Sequence, residues 1–181
     1  MKFTKTPLAG AFVIEPAANV DERGSFVRTW CAETLAAHGL DTSIAMCAVS
    51  RNTRRGTLRG MHWQTPPFAE AKTIRCPRGC VHDVIVDLRP ESPTYKIWFA
   101  VRLSEENGRM LYVPQGMAHG FLTLEDDTEV AYTMSSRYDP ASARGFRWDD
   151  PAFGIGWPRE PAPAIVSERD RQFPPWRKEE P

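Results

Sequence analysis

Two histidines stand in glycine-punctuated segments whose residue types could do chemistry. One is His62 in Gly56-x5-His62, and the other is His119 in Gly108-x5-Pro114-x-Gly116-x2-His119. An imidazole titrates near neutrality, so each could move a proton or hold a metal. A facial metal site needs two imidazoles and a carboxylate. What accompanies His62 is Gln64 and, farther on, Lys72, an amide and an ammonium.

The rest of the chain must position these groups. At 181 residues it has the length of one domain. We expect residues 1–181 to form it, with the segment 158–181 packing across the surface. Hydrophobic residues make up 41%, enough for a sizeable core. Basic and acidic side chains balance at 23 each, which gives no general attraction to nucleic acid or to an anionic membrane. The stretch from Met1 to Pro7 lacks the apolar run of a signal peptide, and no stretch reaches membrane-spanning length. A soluble, cytoplasmic protein is the expectation. Cys31, Cys47, Cys76 and Cys80 form no disulfide framework of the small secreted type. Cys76-x3-Cys80-x-His82 could be part of a zinc site, but no second ligand pair follows. Alternation along a strand accounts for Cys80 and His82 as two side chains on one face.

Strand signals dominate. Thr73 to Cys76 and Cys80 to Leu88, separated by Pro77-Arg78-Gly79, read as a hairpin. Tyr95 to Leu103, Met110 to Val113, Ala118 to Leu124 and Thr128 to Ser135 read as further strands. Turns fall at Ser104 to Gly108 and at Asp126-Asp127. Helix is confined to Ala32 to His38, stopped by Gly39, and to a short turn within Val166 to Gln172. The fold class predicted is all-β, a jelly-roll barrel or sandwich with a few short flanking helices. The segments around His62 and His119 resemble the two sequence motifs of cupin barrels. In metal-binding cupins a His stands at the position of Gln64 and a carboxylate at that of Lys72. The departure implies no metal and no organic cofactor.

A narrower resemblance covers nearly everything from Asp21 to Asp170. It is carried by Asp21-Glu22-Arg23-Gly24-Ser25-Phe26, Leu58-Arg59-Gly60-Met61-His62-Trp63-Gln64 and Ala71-Lys72-Thr73-Ile74-Arg75-Cys76. It continues through Val113-Pro114-Gln115-Gly116-Met117-Ala118-His119-Gly120-Phe121, Trp148-Asp149-Asp150-Pro151 and Gly154-Ile155-Gly156-Trp157-Pro158. In this order and spacing they resemble the dTDP-4-dehydrorhamnose 3,5-epimerases, a cupin-fold group of sugar nucleotide epimerases.

The resemblance implies carbon-acid chemistry on a 4-keto sugar. A base removes a proton beside the carbonyl, a cation holds the enolate, and an acid returns a proton to the opposite face. His62 is the implied base, a role suited to an imidazole tuned across neutrality. Asp170, in Ser167-Glu168-Arg169-Asp170, is its implied carboxylate partner, with Asp83 as the alternative. Lys72 is the implied enolate stabiliser. Tyr132 is the implied acid on the far face. Arg23 and Arg59 are implied to bind the diphosphate, since guanidinium forks match phosphate geometry. Phe26, Gln64, His119 and Arg169 complete the implied substrate-binding set. The implied partner is a nucleotide-diphosphate sugar, and the implied assembly is a homodimer in which the N-terminal segment reaches the neighbouring site. The implied pathway is deoxysugar synthesis for a surface polysaccharide or a glycosylated metabolite.

Three departures bear on specificity. The family usually has one further residue and then Glu after Phe26, where this chain has Val27-Arg28. Met46-Cys47-Ala48 replaces Gln-x-Asn, and Arg137-Tyr138 replaces a Tyr-Tyr pair. These positions serve nucleotide recognition in the family. They leave open a CDP-, GDP- or UDP-linked sugar, and epimerisation at one carbon only. A related 3,4-ketoisomerase favours His-x-His, against which His62-x-Gln64 speaks. A non-catalytic sugar nucleotide-binding module would need neither a base nor an acid.

Overall fold

The computed structural model describes residues 1–160 and 162–176; residues 161 and 177–181 of the expected surface segment lie outside the described residues. In chain order the strands are Lys2–Lys5 (β1), Phe12–Glu15 (β2), Ala18–Asp21 (β3), Gly24–Val27 (β4), Met46–Asn52 (β5), Thr57–Gln64 (β6) and Lys72–Arg78 (β7). They continue as Cys80–Asp87 (β8), Trp98–Ser104 (β9), Met110–Val113 (β10), Met117–Thr123 (β11), Thr128–Met134 (β12), Ala143–Gly145 (β13) and Ile165–Val166 (β14). The two short helices are Ala32–Ala36 (α1) and Glu168–Arg171 (α2). No described helix is long and apolar enough to cross a membrane.

Two sheets form the expected cupin-type jelly roll. The first runs β1-β2-β10-β7-β12-β5, and the second runs β13-β6-β11-β8-β9 with β14 added in parallel to β6. The hairpin β3–β4 stands apart as a third, two-stranded sheet. The expected hairpin across Pro77-Arg78-Gly79 does not form. Both segments are strands, yet β7 pairs with β10 and β12 while β8 pairs with β11 and β9. Alternating apolar residues announce a strand but do not say which sheet receives it.

Burial follows the two-residue period of the strands. Along β8, Val81 and Ile85 enter the core between the sheets, while Val84 and Val86 enter a second core on the outer face. Ile74, Leu103, Leu111, Phe121 and Val130 fill the inner core, and Tyr132 packs against it. Each such side chain contributes about 1.5–3 kcal/mol when fully buried.

The C-terminal third packs over this outer core. Phe146 stacks on Phe153 at 4.3 Å, and Trp176 meets Phe153 at 5.3 Å and Trp63 at 5.7 Å between ring centroids. These contacts bind the segment to the outside of the second sheet and bring α2 against β6. Cys80 lies on the outer face with His82, two residues on, as alternation predicts; its thiol accepts a 2.9 Å hydrogen bond from Arg102 Nε.

Candidate active site

Arg59 and His62 are three apart in β6, and strict alternation would point them to opposite faces. The register prevents this. His119 of β11 pairs with His62 and Phe121 pairs with Arg59, so two residues of β11 match three of β6. The bulge turns both side chains inward. Gly60 and Gly120 permit it. A Cβ on Gly60 would lie 2.6 Å from Gly120 Cα, and one on Gly120 would lie 2.8 Å from Arg59 O. Gly60 also has φ +136, which side-chain-bearing residues rarely adopt.

Asp170 reaches His62 from α2. Its Oδ1 lies 2.8 Å from His62 Nε2, and its Oδ2 accepts the Gly60 N–H at 3.1 Å. Ser167 caps the turn by accepting the Asp170 N–H at 3.1 Å. Burial pushes the Asp170 carboxyl up, but the His62, Gly60 and Ser167 contacts outweigh it and hold the group below its usual range. A carboxylate here fixes the tautomer with the proton on Nε2 and leaves the Nδ1 lone pair free. The His62 side chain is 39% exposed and that of Asp170 only 5%.

The opposite sheet supplies Lys72 from β7 and Tyr132 from β12. Lys72 Nζ lies 2.9 Å from Glu70 Oε1, with both side chains 8% exposed. Gln64 Nε2 donates to the other oxygen of Glu70, and its Oε1 accepts the Asp139 N–H at 2.7 Å. Gln64 thus braces Glu70, which braces Lys72. Burial pushes the Tyr132 phenol well above its ordinary range, and the Asp83 charge adds to this. The group is therefore a neutral proton donor at physiological pH. Its ring meets His119 edge-on at 5.9 Å.

His119 has its own carboxylate. Its Nε2 lies 2.9 Å from Asp83 Oδ2, and Asp83 is fully buried. Of the two carboxylates considered for His62, Asp170 takes that position and Asp83 takes His119. Arg59 Nε donates to Asn52 Oδ1 at 2.8 Å. Asn52 is buried and anchored to Thr128 O at 3.1 Å, so it steers the guanidinium.

Two adjoining cavities share these walls. One of about 260 Å³ is lined by His62, Gln64, Lys72, His119, Tyr132 and Arg169. The other, of about 480 Å³, is lined by Arg59, His62, His119, Tyr132, Arg169 and Asp170. Arg23 and Phe26 are not brought to them. Both sit on the exposed β3–β4 hairpin, where Arg23 pairs with Asp21 at 2.5 Å and Phe26 is 71% exposed. Of the departures from the family pattern, Met46, Ala48 and Tyr138 line the smaller cavity, while Arg137 stacks over Phe68 at 4.2 Å. Glu70 and Asn52 had no signal in the sequence beyond nearness to Lys72 and Arg59. Phe173, whose ring lies 5.8 Å from that of His62, likewise carries no signal in its Pro-containing tail.

The donor set does not fit a metal ion. Both imidazoles present Nε2 to a carboxylate, Gln64 is spent on Glu70 and backbone carbonyls, and the cation Lys72 stands in the ligand register.

Comparison with known proteins bears on the whole length. Residues 5–178 match the family model described as dTDP-4-dehydrorhamnose 3,5-epimerase. The dTDP-4-dehydrorhamnose 3,5-epimerase of Methanothermobacter thermautotrophicus is 43% identical over 178 residues, covering 98% of this chain and 95% of that one. A crystal structure of the same enzyme from Bacillus anthracis, with TDP and PPi bound, matches with a TM-score of 0.91 at 38% identity, covering 97% of this chain and 99% of that one. ChmJ, a 3'-monoepimerase from Streptomyces bikiniensis solved in complex with dTDP-quinovose, matches with a TM-score of 0.86 at 34% identity, covering 94% and 85%. With a jelly-roll fold and a family match over residues 5–178, the chain belongs to the dTDP-4-dehydrorhamnose 3,5-epimerase family.

Proposed function

We propose that this protein epimerises a dTDP-linked 4-keto-6-deoxyhexose at C3 and C5, by removing and returning protons through an enolate. The observation that carries this is the placement of His62 and Tyr132 on facing sheets around one cavity that Lys72 also lines. A base and an acid on opposite sides of a ring invert a carbon; on one side they would only exchange its proton.

His62 Nδ1 takes the proton from the carbon next to the carbonyl, and the Asp170 carboxylate stabilises the imidazolium formed. The C–H electrons move into the enolate, whose oxygen receives charge beside the Lys72 ammonium. Tyr132 returns a proton from the other face. General base catalysis of this kind supplies roughly 10²–10⁴-fold. Arg59 and Arg169, at the larger cavity, hold the diphosphate. His119, fixed by Asp83, and Gln64, through Glu70, shape the sugar end.

The exposed hairpin supports a homodimer. Val20 and Phe26 are 77% and 71% exposed on an arm detached from both main sheets, a surface suited to a second copy. Arg23 and Phe26 then act in the partner's site. A cytoplasmic enzyme of deoxysugar supply for a polysaccharide or glycosylated metabolite fits this assignment.

The sequence comparisons favour dTDP over the other nucleotides, and epimerisation over ketoisomerisation or binding alone. Likeness to ChmJ keeps one-carbon epimerisation as the second reading. Incubation with dTDP-4-keto-6-deoxyglucose in deuterated water, read by NMR, distinguishes them. Deuterium with inversion at both C3 and C5 is expected. Labelling at C3 alone selects the second reading, and no labelling at either carbon rejects both.

A further inference from the structure

Phe173 occupies space that β13 leaves empty for it. Gly145 pairs with His62 in the β13–β6 ladder, so a side chain at 145 would point to the same face as the imidazole. A Cβ there would lie 2.1 Å, 2.3 Å and 2.6 Å from three atoms of the Phe173 ring. The ring lies against the bare backbone of Gly145. From that seat it meets the His62 imidazole at 5.8 Å and an interplanar angle of 67°. The Arg169 guanidinium lies over the same ring at 5.7 Å.

We propose that Phe173, seated on Gly145, is a positioning residue that sets the His62 ring and the Arg169 guanidinium relative to each other. Asp170 fixes one nitrogen of His62 but leaves the ring free to swing about that hydrogen bond. An aromatic wall at its edge removes the swing and keeps Nδ1 aimed into the cavity. The same wall carries Arg169 through a cation–π contact. One aromatic ring therefore couples the proton-abstracting end of the site to its anion-binding end. The residue needed opposite it is glycine, because any Cβ would unseat the ring.

This rests on the assignment of His62 as base. The test measures the initial rate of deuterium wash-in from solvent into dTDP-4-keto-6-deoxyglucose, together with KM and the dissociation constant of dTDP. Phe173→Ala is expected to lower the wash-in kcat about 10-fold, as a small misplacement of a catalytic group does. Because Arg169 is displaced too, KM and the dissociation constant of dTDP should each rise by about threefold, Arg59 still holding the diphosphate. Phe173→Tyr keeps the ring and should recover most of the kcat loss. Gly145→Ala should reproduce the loss without deleting any ring. If Phe173→Ala does not fold, Phe173→Leu, which fills the volume without a planar face, carries the same expectation. Unchanged kcat in both the Phe173→Ala and Gly145→Ala proteins overturns the inference, as does a loss of dTDP affinity as large as the loss of kcat. A His62→Ala protein run alongside separates the two ideas. Persistent wash-in there defeats the base assignment, whereas its loss beside an unaffected Phe173→Ala protein defeats this inference alone.

Discussion

His62 and His119 are directly opposed across β6 and β11, and each meets a carboxylate through Nε2. The two pairs nevertheless do different things. Asp83 approaches His119 from the neighbouring strand, and both side chains are buried, at 0% and 7% exposure. Asp170 approaches His62 from 108 residues away, and the imidazole remains open to the cavity. A carboxylate beside a histidine therefore does not by itself make a base. What separates the two pairs is exposure, 39% for the His62 side chain and 7% for that of His119. A third histidine on the same sheet extends the contrast. His82 lies beneath Trp157, with Nε2 buried and without a hydrogen-bond partner among the described residues.

The largest effects are expected at the open pair. His62→Ala should lower epimerisation about 10³-fold, within the range of general base catalysis, with dTDP binding preserved. Steady-state kinetics alongside ligand titration measures both, and undiminished turnover would remove His62 from the mechanism. Asp170→Asn keeps the shape but loses the charge that stabilises the imidazolium. A loss of about 10²-fold in kcat is expected, with little change in KM. Asp83→Ala strikes the closed pair. It strands a buried imidazole nitrogen, so urea denaturation should show destabilisation of about 2 kcal/mol. Its kcat should fall less than that of Asp170→Asn. The reverse order of kcat losses would exchange the roles of the two pairs.

The smallest effect belongs to His82. Burial holds this imidazole below its ordinary range, against the opposing pull of the Asp83 charge. The unfolded chain then binds a proton that the folded chain refuses. Stability is full above the ordinary histidine value of about 6.5 and declines as pH falls through it toward the depressed folded value. Arg102, its cross-strand neighbour, is a cation and does not relieve this. His82→Leu should flatten the dependence between pH 7 and pH 5 relative to the parent, by about half a unit of slope or less. An unchanged slope would mean that the ring is solvated.

Much of the site was legible in the sequence, chiefly through motifs that carry the family resemblance. Glycines around Arg59, His62 and His119 mark close backbone approach, and the same residues carry the family pattern. Tyr132 came from the family resemblance, and strand alternation with the buried Val130 agrees with its inward position. The allocation of β7 and β8 to different sheets was not readable, because alternation encodes faces and not neighbours. Glu70, Asn52 and Phe173 escaped for a related reason. Each acts through a contact with a site residue, and no local pattern marks a polar or aromatic side chain as facing another element. Arg23 and Phe26 carry the family pattern but stand on an arm away from the cavity of their own chain.

The proposed chemistry requires a base and an acid on opposite faces of one ring. A crystal structure with a dTDP-linked hexose bound tests it most directly. The hexose is expected between His62 Nδ1 and the Tyr132 hydroxyl, each within reach of the same ring carbons from opposite sides, with the C4 oxygen at Lys72 Nζ. A ring that meets both groups on one face, or that turns its C4 oxygen away from Lys72, would contradict it.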